Sequence, residues 1–256
     1  MVAAAHTALP TGDDLAALPL FRGIDKDILR GVAASSRLVH HDKGTLFLTQ
    51  GQPVTRFYVV LEGWCGVSKG NAGGQEAILQ IFQHGDFLPD PNNAAHIDVS
   101  PVNLLALTPL RLIMLSPNIV HNTLLRSPAF NQSMMTAIMH QCQESRDHIE
   151  QLTLHSAEER VGRFLLQMRL NTGPGSKDID LPFDKTLIAA YLGIKPETLS
   201  RTLQLFKDQG FVIKRNHVTA PHDQSLCDFC DLTIMKSCQH AHTEQCANHD
   251  ALHKPM

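Results

Sequence analysis

The chain has 256 residues, 43% of them hydrophobic and 18% charged, which is enough for two modest globular domains and argues against global disorder. No apolar run approaches the ~20 residues of a membrane-spanning helix, and Met1–His6 lacks the basic and apolar regions of a signal peptide, so a cytoplasmic protein without a membrane partner is expected. The formal net charge of −3 argues by itself against nucleic acid, and four of the six cysteines fall in the last 30 residues, which in a reducing compartment favours metal or redox chemistry over structural disulfides.

Residues 1–17 read as a flexible arm. From Leu15 to Leu38 apolar and polar residues alternate at helical spacing. Between Val39 and Leu115, β-branched and aromatic runs such as Phe57-Tyr58-Val59-Val60-Leu61 and Leu79-Gln80-Ile81-Phe82 alternate with glycines at 44, 51, 63, 70, 73, 74 and 85. That spacing predicts a small antiparallel barrel or roll over 18–128. From Ala129 to Leu154 glycine and proline vanish. Met135, Ile138, Cys142, Ser145, Ile149 and Leu152 then recur in alternating steps of three and four, an a/d seam with one polar interruption. Such a helix, over 129–155, either packs on its own domain or pairs with its twin in a homodimer.

Ser156 with Glu159 three residues later forms a capping-box pattern, and Val161, Phe164, Leu165 and Met168 mark one buried face. After a Gly-Pro-Gly-Ser linker (173–176), helices are predicted over Asp184–Leu192 and Pro196–Gln209, joined at Gly193. A strand pair, Phe211–Ile213 and His217–Thr219, turns at Arg215-Asn216. The sum is a winged helix-turn-helix over 156–219. Its second helix would enter the major groove by its N-terminal turn, where Glu197, Ser200 and Arg201 share one face. Arginine clamps guanine O6 and N7, glutamate accepts from cytosine N4, and serine serves either role. Thr198 and Thr202 beside that face, and Lys214 and Arg215 on the wing, are expected phosphate contacts. From Asp184 to His217 six basic residues stand against three acidic ones, so this segment is locally positive. The competing reading is a solvated helix in a protein-interaction module. The wing, the preceding seam and the local charge favour double-stranded DNA.

Leu20-Phe21-Arg22-Gly23-Ile24, Gly44-Thr45-Leu46-Phe47, Phe57 through Gly63, Gly85-Asp86-Phe87, Ala157-Glu158-Glu159-Arg160, Tyr191-Leu192-Gly193 and Glu197-Thr198-Leu199-Ser200-Arg201 together resemble the CRP/FNR family of bacterial transcription regulators. The resemblance covers residues 18–219. It implies an α+β chain: a cyclic-nucleotide-binding-like antiparallel β-roll, a long dimerisation helix and a C-terminal winged helix-turn-helix. It also implies a homodimer that works with RNA polymerase and has no enzymatic activity. Neither His-Glu-x-x-His nor a phosphate-binding glycine loop occurs to suggest an enzyme or a metal-dependent electron carrier instead. The Glu-x-x-Ser-Arg pattern is similar to the FNR branch, which reads TTGAT half-sites in a palindrome. The CRP branch has arginine before that glutamate, where this chain has Pro196.

In cyclic-nucleotide-binding relatives a Gly-Glu pair holds the ribose and an Arg-Ser/Thr-Ala stretch holds the cyclic phosphate. Here the sequence runs Gly85-Asp86-Phe87-Leu88-Pro89-Asp90, with no arginine between Arg56 and Arg111. A buried phosphate needs that charge, so cyclic nucleotide is not expected. The FNR branch senses oxygen through an iron–sulfur cluster near its N-terminus, but no cysteine precedes Cys65 here. Instead residues 220–256 form a Cys/His-rich tail, Cys227-x2-Cys230-x7-Cys238-x-His240-x-His242-x3-Cys246. The tail resembles the C-terminal cluster extensions of some family members. Four thiolates, Cys227, Cys230, Cys238 and Cys246, suit a 4Fe-4S iron–sulfur cluster or a zinc ion; redox-active thiols without metal are the third reading. A tail site of this kind would act by biasing the dimer helix. Cys65 and Cys142 read as small core residues. Haem in the roll is a further reading, with His40, His41, His84 and His96 as axial candidates against plain hydrogen-bonded histidines. Five acidic residues against two lysines after Thr219 give the tail −3 on its own, so the whole-chain charge conceals a neutral remainder.

Overall fold

A computed structural model describes residues 9–53, 55–70, 76–88, 99–171, 177–222 and 224–230, together with Ile234 and Cys238. The chain divides into two compact units, one up to Ser145 and one from Arg146.

The first unit opens with α1 (Gly12–Ala16), capped by Thr11: the Thr11 Oγ1 accepts the Asp14 N–H (3.1 Å) and the Asp14 carboxylate accepts the Thr11 N–H (2.8 Å). Leu15 on α1 is fully buried in the roll's core. The expected flexible arm is therefore corrected from Thr11 onward; its first eight residues lie outside the described residues. A 3-10 turn (Pro19–Phe21) and α2 (Lys26–Ser35) follow. The helical pattern read through Leu38 stops at Ser35, because Ser36 turns extended and Arg37–His41 pair as strand β1.

Strands β2 (Leu46–Leu48), β3 (Phe57–Glu62), β4 (Cys65–Gly70), β5 (Glu76–Phe82), β6 (Phe87–Leu88), β7 (Asn103–Ala106) and β8 (Leu110–Leu115) complete the roll. They form two four-stranded antiparallel sheets, β1-β8-β3-β6 and β2-β7-β4-β5. The pleat sends successive residues to opposite faces. Val59, Phe87 and Ile113 accordingly join the cluster around Phe21 and Phe130, while their neighbours Val60, Leu88 and Leu112 join the one around Cys65 and Phe82. Gly63, at φ +86°, turns β3 into β4 where a Cβ would stand 2.2 Å from the Pro109 carbonyl oxygen. Helix α3 (Pro117–Arg126) is capped by Ser116 and leads into α4 (Pro128–Leu154). The first turns of α4 close the roll, with Phe130 stacked 5.8 Å from Phe21.

The second unit contains α5 (Ala157–Asn171), β9 (Asp178–Asp180), α6 (Lys185–Tyr191), α7 (Pro196–Asp208), β10 (Val212–Lys214) and β11 (His217–Thr219). The predicted capping box is present: the Glu159 carboxylate accepts the Ser156 N–H (2.7 Å) and Ser156 Oγ accepts the Glu159 N–H (3.2 Å). The sheet order is β10-β11-β9. Strand β9 has no counterpart in the sequence reading, since Asp-Ile-Asp carries little β-propensity; full burial of Ile179 holds it in place. The core gathers Val161, Phe164, Ile188, Leu199, Leu203 and Phe206. The fold class is the α+β roll and winged helix-turn-helix that the sequence predicts. No helix among the described residues is long and apolar enough to cross a membrane.

Candidate nucleic-acid interface

Helix α6 starts at Asp184, whose carboxylate accepts the Leu187 N–H (3.0 Å). The turn to α7 needs Gly193 twice over. Its φ of +62° suits glycine, and a Cβ would stand 2.7 Å from Leu152 Cδ2. Arg160 of α5 fixes the same turn by donating from Nη1 to the Leu192 carbonyl (2.7 Å).

Helix α7 divides by the 3.6-residue period. Leu199, Thr202, Leu203 and Phe206 face the core, while Glu197, Ser200 and Arg201 are exposed together on the other side. Pro196 opens the helix and no side chain caps it, leaving its first amide groups available to an anion. Ser200 Oγ donates to the Pro196 carbonyl (3.0 Å), which leaves its lone pairs as acceptors. Thr198 is half-buried beside this face. Thr202 does not flank it: it is 5% exposed, on the core stripe. The expected phosphate contact at Thr202 is corrected accordingly, because one step past Arg201 rotates a side chain by about 100° toward the interior. Gln204, exposed and one turn beyond Ser200 and Arg201, extends the outer face and donates to Asp208 (3.0 Å). The i+3/i+4 step that joins Glu197 to Arg201 also finds Gln204.

The wing is a two-residue hairpin, β10 to β11, with Lys214 and Arg215 exposed near its tip. Arg215 has φ +50°, the one non-glycine residue in left-handed backbone among the described residues; hairpins of this length demand such a conformation. On the adjoining strands His217 lies between two carboxylates, with Nδ1 2.8 Å from Asp180 and Nε2 3.2 Å from Asp178, and the Thr219 hydroxyl donates to Asp178 (2.8 Å). Hydrogen bonding to Asp180 raises the His217 pKa above its ordinary value.

Along α4, Met135, Ile138, Cys142, Ile149 and Leu152 are all exposed, the first at 61% and Ile149 at 63%. Cys142 is thus not the small core residue expected. Leu152 also meets the helix-turn-helix turn at Gly193. His148 stacks on Tyr191 (4.7 Å, 11°) beside this contact. Cys65 is fully buried, and burial pushes its thiol pKa far up, which suits the inert core role.

In the tail, Cys227 and Cys230 are half-exposed on one 3-10 turn (Cys227–Phe229) whose end is closed by the Cys230 N–H donating to the Cys227 carbonyl (3.0 Å). Cys238 is half-exposed; Cys246, His240 and His242 lie outside the described residues. No group of three metal-ligating side chains is assembled among the described residues. Of the haem candidates, His41 stacks on Phe47 (4.5 Å), His84 Nδ1 lies 2.6 Å from the Leu61 carbonyl, His40 is exposed and His96 lies outside the described residues. The tail turn has an anchor that sequence reasoning missed. Phe229 lies over Gly162 of α5, where a Cβ would come within 2.5 Å of the ring. A mid-helix glycine costs about 0.5–1 kcal/mol relative to alanine, and this close approach explains its presence.

A glycine-turned roll, a long helix with an exposed apolar seam and a winged helix-turn-helix with a polar outer face define a DNA-binding transcription regulator. The comparisons agree. A cyclic nucleotide-binding domain matches residues 38–127 and a Crp-like helix-turn-helix domain matches residues 159–229. The probable transcriptional regulator flp of Lacticaseibacillus casei is 25% identical over 199 residues, 77% of this chain and 88% of that protein. The nitrogen fixation regulation protein FixK of Bradyrhizobium diazoefficiens is 29% identical over 199 residues, 74% of this chain and 79% of that one. The solved structure of FixK2 from Bradyrhizobium japonicum has the same fold, with a TM-score of 0.67 at 19% identity over 77% of this chain and 98% of that chain. The chain belongs to the CRP/FNR family of transcription regulators.

Proposed function

We propose that this protein is a homodimeric, FNR-like regulator that reads TTGAT half-sites with α7 and responds to redox state, oxygen or nitric oxide through its C-terminal cysteines. The observation that carries the DNA reading is the shared exposure of Glu197, Ser200 and Arg201 on the leading turns of α7. Lys214 and Arg215 on the wing, and the half-buried Thr198, supply phosphate contacts that orient the helix without reading bases. The exposed apolar seam of α4 supports pairing with a second copy, since such a stripe is covered in coiled coils. RNA polymerase is the protein partner that this role requires. The roll serves as a scaffold without cyclic nucleotide, a reading that rests on the missing arginine between Arg56 and Arg111.

The donor set of the tail fits a thiolate-held group: Cys227 and Cys230 share one turn and are half-buried, and Cys238, which follows, is half-buried too. An iron–sulfur cluster held by Cys227, Cys230, Cys238 and Cys246 would supply a redox- and gas-reactive centre. The turn itself contributes two thiols at fixed spacing, with access from solvent.

Two measurements test this. The full chain should bind a palindrome of two TTGAT half-sites tighter than a scrambled duplex at equal salt; equal affinities overturn the half-site assignment. Metal and acid-labile sulfide analysis of protein purified without air should find iron and sulfide together. Zinc without sulfide replaces the cluster with a zinc site, and absence of both leaves redox-active thiols.

A further inference from the structure

We infer that Phe229 links the Cys227 and Cys230 thiols to the recognition helix of the same protomer, so that the chemical state of the turn is read out in α7 and the wing. This rests on the DNA-reading role of α7 and deepens the regulatory role proposed for the tail. It replaces a route through the dimer helix with one inside the DNA-reading unit.

The turn is a small hydrogen-bonded body. The Cys227 N–H donates to the Gln224 carbonyl (2.9 Å), the Phe229 N–H to Leu226 (3.1 Å) and the Cys230 N–H to Cys227 (3.0 Å). Leu226 is fully buried and Ile234 nearly so, which pins the turn to the unit on both sides of the cysteine pair. Phe229 stands between the two cysteines in sequence, so a ligand or adduct that repositions both sulfurs acts on the residue they enclose. Its ring occupies the space above Gly162 on α5. It also lies 5.7 Å from Phe206. Phe206 is buried on the inner stripe of α7 and meets Phe211 edge-on at 5.2 Å, at the entry to β10. Three aromatic rings therefore connect the thiols to the helix that carries Arg201 and to the strand that carries Lys214. Packed interiors transmit such displacements because neighbouring side chains leave no slack.

The test uses the full chain in three thiol states: reduced and metal-free, loaded with Zn2+, and alkylated with iodoacetamide after reduction. Amide hydrogen exchange is followed over residues 196–208, alongside affinity for the half-site palindrome. Either modification of the thiols should change exchange in α7 by about fivefold or more in the wild-type chain, and Phe229→Ala should abolish that response. Gly162→Ala, which displaces the ring and keeps a good helix former on α5, should do the same if Phe229→Ala folds poorly. Unchanged α7 exchange in wild type overturns the inference, as does a response that survives both variants. Equilibrium dialysis reports separately whether Zn2+ binds. If it does not, the metal role of the tail falls and the alkylated chain still decides the coupling. Loss of half-site preference with an intact exchange response would overturn the DNA assignment alone.

Discussion

The two units spend their sequence differently. In the roll, adjacent residues of one strand feed two separate cores: Val59 and Val60 of β3, Leu112 and Ile113 of β8. A strand buried on both faces has no side left over for chemistry, and its sequence reports the fold alone. In the second unit α7 buries one stripe and exposes the other, so the same thirteen residues specify the core through Leu199, Leu203 and Phe206 and the chemistry through Glu197, Ser200 and Arg201. A helix leaves most of its circumference free for function.

The largest test of this contrast is to empty one core. Phe206→Ala removes a fully buried ring from the second unit and should destabilise that unit by about 3–5 kcal/mol. Trp64, the chain's single tryptophan, lies in the first unit. Its fluorescence transition should stay where it is while the second unit melts earlier by calorimetry. A Trp64 transition that falls in step would mean that the two cores unfold as one. Next in size is the seam. Ile149→Glu places a charge on an exposed residue, so the protomer fold should change by less than about 0.5 kcal/mol. Sedimentation should nevertheless shift from dimer to monomer, and a dimer that persists would assign the seam to some other contact.

Within the second unit the outer face can be divided further. Arg201→Ala should cost about 1–3 kcal/mol on the preferred palindrome and narrow its advantage over scrambled DNA. Lys214→Ala should weaken both duplexes alike and lower the salt slope of binding by about 1. Equal behaviour of the two variants would erase the distinction between base reading and phosphate contact.

Legibility in the sequence followed the same division. Strand alternation, glycine turns and capping residues are local signals, so the roll is legible in outline, and the capping box at Ser156 and the helix-turn-helix to within a residue or two. The inward turn of Thr202 is not legible from its polarity and nearness to Arg201, because it depends on the angular step along the helix. Strand β9 escaped because only the tertiary burial of Ile179 makes Asp-Ile-Asp a strand. Phe229 escaped for a related reason: nothing local pairs it with Gly162, 67 residues earlier, and the close approach exists only after folding.

The smallest effect separates two histidines in the second unit that carry the same ordinary pKa of 6.5. His217 has a carboxylate on each ring nitrogen, which both nitrogens can satisfy only as N–H donors, so the imidazolium is favoured and the pKa rises. Its contribution to the β9–β11 pairing is complete below 6.5 and is lost as pH climbs through the raised value. Asp178, held low by the Thr219 hydroxyl, works from the other end: its contribution is present above the usual carboxylate range and is lost as pH falls through its lowered value. His148 runs opposite to His217. Burial lowers its pKa, and the nearby Arg160 guanidinium adds to the shift, so the neutral ring is the one that stacks on Tyr191 and acidification below 6.5 costs stability there. Mild alkali should therefore loosen the wing, and mild acid should loosen the contact of α4 with α6. Proton NMR titration of the full chain should resolve a ring titrating above 6.5 that His217→Gln abolishes, and a ring below it, beside that of the half-buried His41, that His148→Gln abolishes. A His217 resonance that titrates at or below 6.5 would mean that the two aspartates do not hold the ring in solution. The wing would then depend on its hairpin alone.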